Sequence, residues 1–349
     1  MFANFPTDDP RMGHILVDAA SCKSLADVPK PATAKNRTAI IGFPFDQGVA
    51  RNGGRPGAAG GPDVALTYIR KVGTIVNAEY DVDLRSTVQL ANAGLVGNND
   101  TMSLEDGHAM LRNRVRDAIQ HGFVPFVIGG GNDQSYPNAR GLLDTLSPTT
   151  HLTVINIDAH FDVRPLKEGK VHSGSPFRQL LEDRDFQTRK GHFIEYAAQG
   201  SQCSAEHVAY LRSHDGKLHA DVSTQTEIVW LKDVMRHERG QGMEAGTSPF
   251  AQHFRALIDR AAKEHPDRAI FVSFDLDAVR SADAPGVSCA SPLGITADQA
   301  IDICFIAGAN PAVKLVDLSE FSPRIEEYRT GRLVAMMFYY FCLGLAQRA

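Results

Sequence analysis

The sequence predicts a single α/β domain built on a mainly parallel β-sheet. Short apolar runs rich in β-branched residues alternate with longer segments of helical apolar spacing. This alternation is the pattern of parallel strands joined by crossover helices. Acidic or glycine-rich stretches follow several of the apolar runs, where a buried strand would end. Because ligands of such sheets bind beyond the carboxyl ends of the strands, we expect the functional site at that edge.

Each element is predicted from its periodicity and its flanking residues. Apolar runs bounded by polar residues or glycine predict strands at 38–43, 124–128, 151–157, 192–197, 227–231, 269–274 and 313–318. Apolar residues three or four positions apart predict helices over 63–72, 104–121, 134–146, 176–182, 249–265, 296–309 and 331–345.

The remaining segments are predicted to be irregular. Residues 1–36 are polar and contain four prolines, so we expect an N-terminal arm before a domain that covers 37–349. Residues 45–62 form a long glycine-rich loop with two arginines, and neither a dinucleotide fingerprint nor a Walker lysine occurs in it. Residues 183–250 are rich in charge and histidine and resemble insertions between elements.

Composition excludes several classes of protein. The 349 residues include 43% hydrophobic and 22% charged side chains, enough for a large core, and the net charge of −5 argues against a nucleic-acid partner. No apolar run reaches the ~18 residues of a membrane span, and the start lacks the pattern of a secretory signal. The five cysteines are widely spaced and odd in number. We therefore expect a cytoplasmic protein with a small-molecule partner, and a homo-oligomer is compatible with the sequence.

Two acidic stretches carry the predicted chemistry. Asp158, His160 and Asp162 follow one predicted strand, and Asp275 and Asp277 end another. Residues two apart share a face of an extended chain, so these side chains are expected to converge. Four carboxylates and an imidazole would repel one another unless a cation lies between them. Such ligands suit Mn²⁺, with Zn²⁺, Ni²⁺ and Fe²⁺ as rivals, and two shared carboxylates suggest two metals.

The alternative for each acidic stretch alone is a strand-end turn or a helix cap. The presence of both stretches, each directly after a buried strand, favours the metal site.

These motifs resemble those of the arginase (ureohydrolase) superfamily. The resemblance covers about 38–345 and rests on Gly-Gly-Gly-Asn-Asp at 129–133, Asp-Ala-His-Phe-Asp at 158–162, Ser-Phe-Asp-Leu-Asp at 273–277, Glu-Phe-Ser-Pro at 320–323 and a lip-like loop at 283–288. It implies a three-layer fold in which helices sandwich the sheet, and a binuclear manganese site.

The resemblance also implies a ligand set. Asp158 and Asp275 would bridge two Mn²⁺ ions, and other divalent metals could replace them. The second ion would be completed by His160 and Asp277, and the first by Asp162 and Asn132. The family usually has histidine where this chain has Asn132. An amide oxygen can bind Mn²⁺, though less strongly than imidazole, so we expect the first site to be the weaker one. If Asn132 ligates through its oxygen, its NH₂ group must point away, towards an acceptor or water. The alternative is that Asn132 caps the following helix.

Three residues are expected to act on the substrate. Asp162 would accept the proton of the attacking water and pass it to the leaving amine. His172 is a candidate proton shuttle, with an ordinary loop histidine as the alternative. Glu320 would hold the cationic nitrogen of the substrate, with a strand-end surface carboxylate as the alternative. Cys289 lies on the lip-like loop beside them.

The segments 46–58, 158–164 and 173–179 are most similar to the branch of the family that hydrolyses N-formimino-L-glutamate to L-glutamate and formamide. Arg51, Arg55 or Arg164 could then grip a substrate carboxylate through a bidentate pair. The alternative for each arginine is that it ties loop carbonyls.

Other activities stay open at the level of sequence. Relatives in the family act on agmatine, guanidinobutyrate, guanidinopropionate or arginine. Asn132 also leaves room for a metal-poor, non-catalytic binding protein of the same fold.

Overall fold

A ten-stranded sheet runs through the protein in the order β1-β5-β2-β6-β12-β11-β7-β8-β10-β9. The structure, a computed structural model, describes residues 9–31, 34–219, 222–235 and 247–348. All neighbouring strands of this sheet are parallel except β9, which runs antiparallel to β10. The strands are β1 (Leu16–Asp18), β2 (Asn36–Phe43), β5 (Val88–Leu95), β6 (Val124–Gly129), β7 (His151–Ile157), β8 (His192–Ala198), β9 (Gly216–Lys217), β10 (Ser223–Trp230), β11 (Arg268–Asp275) and β12 (Val313–Ser319). A separate two-stranded sheet pairs β3 (Val76–Asn77) with β4 (Val82–Asp83).

Helices cover both faces of the sheet. They are α1 (Gln47–Asn52), α2 (Gly61–Lys71), α3 (Leu84–Thr87), α4 (Leu104–Gln120), α5 (Ser135–Leu143), α6 (Pro176–Glu182), α7 (Arg184–Thr188), α8 (Ala205–Ser213), α9 (Leu231–Val234), α10 (Pro249–Lys263), α11 (Ala297–Ala309) and α12 (Tyr328–Ala346). The predicted α/β fold is confirmed.

Two hydrophobic cores form because the strand side chains alternate between the faces. In β7, Ile155 and Ile157 point into the core shared with α2, α10, α11 and α12, while Leu152 and Val154 point into the core shared with α4 to α8. Both faces are therefore covered, which explains why the strands read as continuous apolar runs. No described helix is both long and apolar enough to cross a membrane.

The structure corrects the expected arm. Within residues 9–31, β1 pairs in parallel with β5 and forms one edge of the main sheet. Residues 1–8, 32 and 33 of that arm lie outside the described part. The strand β5 itself was not predicted, because Ala91, Asn92, Ala93 and Gly94 interrupt its apolar pattern. Its backbone hydrogen bonds to β1 and β2 hold it in the sheet.

Two further expectations were incomplete. The glycine-rich loop contains the helix α1, which ends where Gly53 adopts a left-handed conformation (φ 85°). The segment 183–250 is more than an insertion, since β8 and β10 are full members of the main sheet. Residues 220, 221 and 236–246 of that segment lie outside the described part.

The strand order brings the sequence motifs together. The four strands β6, β12, β11 and β7 are consecutive neighbours in the sheet, and each is followed by one of the motifs. The loop after β2 also meets this edge, because the N–H of Gly131 donates to the carbonyl of Phe45 at 3.0 Å. A Cβ atom on Gly130 would lie 1.8 Å from that same oxygen, so this close approach requires glycine.

Candidate functional site

Three carboxylates converge at the carboxyl ends of β7 and β11. One carboxylate oxygen from each of Asp158, Asp162 and Asp275 lies within 4.8 Å of the other two. Asp158 follows β7 and Asp275 ends β11. The Asp275 carboxylate also accepts the N–H of Asp277 at 2.9 Å, and the Asp158 carboxylate accepts the N–H of His160 at 2.7 Å. These hydrogen bonds turn the backbone after β7 and after β11 at the edge of the sheet.

A second group lies beside the first. His160, Asp277 and Cys289 also bring one potential ligand atom each within 4.8 Å of one another. The Nδ1 atom of His160 is 3.2 Å from Asp277 Oδ2 and 3.4 Å from Asp158 Oδ1. Its Nε2 atom faces Cys289 Sγ at 3.8 Å. The imidazole therefore presents Nδ1 to the carboxylates, while the predicted lip residue Cys289 closes its other side.

The convergence does not arise from simple strand alternation, as the sequence analysis assumed. Asp162 has a left-handed backbone (φ 47°), and so does Glu320 after β12 (φ 68°). Non-glycine residues in this region are rare and are concentrated at functional sites, where the surrounding structure holds them. The left-handed turn, rather than an extended chain, returns the Asp162 carboxylate to the cluster.

The electrostatics of the cluster demand a positive partner. Burial, together with the neighbouring acids, raises the pKa of Asp158 and of Asp162 to about 7, and it raises the pKa of Asp275 and Glu320 well above the usual range. The Asp277 carboxylate raises the pKa of His160. The Oδ1 atom of Asp277 and the Oε2 atom of Glu320 are buried without a hydrogen-bond partner in the described structure. Buried acids with unused lone pairs fit divalent cations.

Asn132 lies in the cluster, with the nitrogen of its amide facing the acids. Its Nδ2 atom donates to Asp162 Oδ2 at 2.8 Å and lies 3.4 Å from Asp158 Oδ2. Its Oδ1 atom accepts from the hydroxyls of Ser135 and Ser319. The two acids attract this donor. The expectation that NH₂ points away applies to an Asn132 that binds a cation through its oxygen, and it stays a prediction.

A cavity of about 190 Å³ opens above the cluster. Its walls combine the acids with polar loop residues: Val49, Asn52, Gly53, Gly54, His160, Asp162, Arg164, Ser173, Asp275, Asp277, Ser288, Cys289 and Glu320. The cavity therefore has an acidic floor, formed by strand ends, and a rim formed by the loops after β2, β7 and β11. Glu320 lies in it as predicted.

The three candidate arginines have different environments. Arg51 forms a bidentate pair with Glu105 at 2.6 and 3.1 Å and also donates to the carbonyl of Val171. Arg55 donates to the carbonyls of Val287 and Ser288. Neither lines the cavity. The expectation that they bind substrate is therefore corrected: both tie neighbouring loops together.

Arg164 is the arginine at the cavity. Its side chain is exposed, and no hydrogen bond or ion pair of its guanidinium occurs within residues 9–31, 34–219, 222–235 and 247–348. A free guanidinium opposite an acidic floor can bind a ligand carboxylate.

His172 is not placed as a proton shuttle. It is fully buried, its Nε2 atom lies 3.0 Å from the carbonyl of Pro165, and its Nδ1 atom accepts the N–H of Gly174 at 3.2 Å. Both ring nitrogens are thus used by the loop backbone, and His172 does not line the cavity. The structure corrects this expectation, because the ring holds the 165–174 loop in shape.

Sequence reasoning missed the polar residues that support the cluster. Ser135 and Ser319 hold the Asn132 amide, and Asn156 Nδ2 lies between Asp158 Oδ2 at 3.3 Å and Glu195 Oε2 at 3.0 Å. Ser319 directly precedes Glu320, so its place at the end of a strand was a usable signal. Glu195 gave none, because it lies within an apolar strand that is remote in sequence.

Comparison with known proteins gives a consistent picture. The arginase family profile matches residues 36–344. A formimidoylglutamase from Geobacillus kaustophilus is 31% identical over 314 residues, 89% of this chain and 85% of its own length. The crystal structure of Trypanosoma cruzi formiminoglutamase with Mn²⁺ covers 98% of this chain and 100% of its own, with a TM-score of 0.80 and 38% identity. An asparagine-to-histidine variant of that enzyme, also with Mn²⁺, aligns with the same TM-score and identity.

We expect Asp158→Ala or Asp275→Ala to abolish Mn²⁺ binding. Each substitution removes a carboxylate that faces both groups of ligands, so the coordination of two cations is damaged at once. Isothermal titration calorimetry on EDTA-treated protein measures the effect. Asp144→Ala is the matched control, because Asp144 is a partly buried carboxylate that pairs with Arg112 away from the site. Two intact Mn²⁺ binding events in either site variant would contradict the proposed ligands.

We also expect Asp158→Asn to raise the melting temperature of EDTA-treated protein strongly at about pH 8 and much less at about pH 4. The pKa of Asp158 is about 7 in the folded protein and about 3.9 in the unfolded chain. Its ionisation therefore lowers the free energy of unfolding as the pH rises from about 4 to about 7. Differential scanning calorimetry in EDTA tests this. Equal melting-temperature changes at the two pH values would contradict it. With Mn²⁺ added at pH 8, wild type should become the more stable protein.

Proposed function

We propose that this chain, which belongs to the arginase family, is a divalent-metal hydrolase that converts N-formimino-L-glutamate and water to L-glutamate and formamide. The observation that best supports this proposal is a cavity in which an acidic floor faces the free guanidinium of Arg164. The substrate has the matching charges, since its formimino group is an amidine-type cation and its glutamate part carries two carboxylates. The similarity to formiminoglutamases from other organisms supports the same substrate.

The metals would be held by the strand-end residues. Asp158, Asp162, Asp275 and the Asn132 amide surround one position, and Asp277 and the Nδ1 atom of His160 lie beside it. When bound, two Mn²⁺ ions would lower the pKa of a water molecule and stabilise negative charge as it develops at the formimino carbon.

Asp162 is the proposed proton carrier. Asp162 lines the cavity, and one of its carboxylate oxygens lies within 4.8 Å of those of Asp158 and Asp275, so it is within reach of a water molecule held among these acids. In the proposed reaction, the water oxygen bonds to the formimino carbon and its proton goes to Asp162. The bond from that carbon to the glutamate nitrogen then breaks, and Asp162 returns the proton to that nitrogen. The second proton of the water leaves the oxygen and follows the same route to the amine, which gives neutral formamide and the ammonium form of glutamate.

Glu320 is the proposed partner of the formimino group. It lies at the cavity, its Oε1 atom accepts the N–H of Asn132 at 3.3 Å, and its Oε2 atom has no partner in the described structure. An N–H of the cationic substrate would satisfy that oxygen. The left-handed backbone of Glu320 fixes the direction of the side chain. This orients the formimino carbon over the acidic floor.

The rim would bind the glutamate part. Arg164 offers a planar pair of donors that fits one carboxylate. Ser173 and Asn52 line the same wall and are hydrogen-bonded to each other at 3.1 Å. Agmatine has no carboxylate to place there, so the free Arg164 favours the formimino substrate over that alternative.

The five cysteines are all free thiols, which suits the proposed cytoplasmic location.

A substrate panel tests the function. Protein stripped with EDTA and reloaded with Mn²⁺ is assayed with N-formimino-L-glutamate, agmatine, guanidinobutyrate, guanidinopropionate and arginine, with products identified by NMR. We expect kcat/KM to be highest for N-formimino-L-glutamate, with formamide and glutamate as the products. Preference for a guanidino substrate would overturn the substrate assignment while leaving the metal site intact.

We expect Arg164→Ala to raise KM for N-formimino-L-glutamate roughly tenfold or more. A hydrogen bond to a charged group contributes about 1.5–3 kcal/mol, and each 1.4 kcal/mol is a factor of ten. Steady-state kinetics measure the change, and Arg164→Lys should recover part of it. Arg85→Ala is the control, since Arg85 is exposed and pairs only with Asp83 among the described residues. If Arg164→Ala and Arg85→Ala had the same KM, Arg164 would have no role in substrate binding.

A further inference from the structure

The Asn132 amide is enclosed by four hydrogen-bonding groups. On one side, Nδ2 faces Asp162 and Asp158. On the other side, the hydroxyls of Ser135 and Ser319 donate to Oδ1 at 2.9 and 3.0 Å. All but Asp162 are buried, so bulk water cannot replace a lost bond. Neither serine lines the cavity.

We propose that Ser135 and Ser319 are positioning residues that let the Asn132 amide turn over when a cation binds. In the orientation that the structure shows, NH₂ donates to the carboxylates and thereby offsets part of their repulsion. In the loaded site, the amide oxygen faces the cation and NH₂ donates to the two serine hydroxyls. The inference rests on the proposed function only in requiring the divalent cations, and it is independent of the substrate.

The hydroxyls can exchange roles without any heavy atom of the serines moving. A hydroxyl both donates and accepts, so each serine needs another acceptor for its proton once it accepts from NH₂. Both acceptors are in place. Ser135 Oγ lies 3.0 Å from Ser273 Oγ, and Ser319 Oγ lies 3.4 Å from Asp275 Oδ2. This assigns a purpose to Ser273, the first residue of the 273–277 motif.

The two amide orientations depend on the serines unequally. In the orientation that the structure shows, one donor is enough to satisfy Oδ1, so either serine alone suffices. In the loaded orientation, each of the two N–H bonds needs its own acceptor. Removing one serine would therefore leave a buried N–H unpaired only in the loaded site, which is costly. Loss of a serine should thus weaken cation binding rather than merely loosen the fold.

The opposite change in cation affinity is expected if the serines only hold the amide in the orientation that the structure shows. Removing their donors would then free Oδ1, and the first cation would bind equally well or more tightly. The sign of the change in affinity distinguishes the two accounts.

The test is a Mn²⁺ titration by isothermal calorimetry of EDTA-treated wild type, Ser135→Ala and Ser319→Ala. Asn132→Ala identifies which of the two binding events belongs to the first cation. We expect each serine variant to weaken that event about tenfold, the scale seen for groups that orient metal ligands, and to leave the other event unchanged. Thr38→Val is the control. It removes one buried hydrogen bond, from the Thr38 hydroxyl to the carbonyl of Val124, at the end of β2 that is far from the site.

A double-mutant cycle separates positioning from general destabilisation. With Asn132→Ala already present there is no amide to hold, so Ser135→Ala should have no further effect on the first cation. Unchanged or tighter binding in both serine variants would overturn the inference, and so would an equal effect in the Asn132→Ala background. Failure of wild type to bind Mn²⁺ would instead contradict the proposed function, and this inference with it.

Discussion

Repulsion among buried carboxylates is the constraint on which the rest of the site depends. Asp158, Asp162, Asp275 and Glu320 all have pKa values raised by burial and by neighbouring acids. Such a cluster persists only where a rigid scaffold forces the groups together. That scaffold is the set of consecutive parallel strands β6, β12, β11 and β7, covered by helices on both faces.

Amide side chains relieve part of this repulsion. Asn156 donates to both Glu195 and Asp158, Asn138 donates to Asp317 at 2.7 Å, and Asn132 donates to Asp162. An amide NH₂ placed between two carboxylates supplies donors without adding a formal charge. These amides therefore lower the repulsion while leaving acid oxygens available for cations. Asn132 differs from the other two amides because it lies among the potential ligands.

The charged residues of the cavity above this cluster come from two kinds of element, rigid strand ends and loops. The acids come from strand ends, whereas Arg164 comes from an exposed loop position. Arg51 and Arg55 hold the neighbouring loops in place through Glu105 and the carbonyl of Ser288. The loops can thus differ between relatives and change the substrate, while the strand ends preserve the metal chemistry.

The α/β fold, the strands that carry the acidic motifs and the identity of the clustered acids could all be predicted from the amino-acid sequence. These features are predictable because apolar runs and the polar residues that end them are local, and they can be recognised without the tertiary structure. Tertiary structure decided which arginine is free, that both nitrogens of His172 serve its own loop and that the Asn132 amide faces Asp162 through its nitrogen. Each of these depends on partners distant in sequence, such as Glu105 for Arg51 and Ser319 for Asn132. A side chain's role is set by the hydrogen bonds left unsatisfied after packing, and packing is a property of the whole chain.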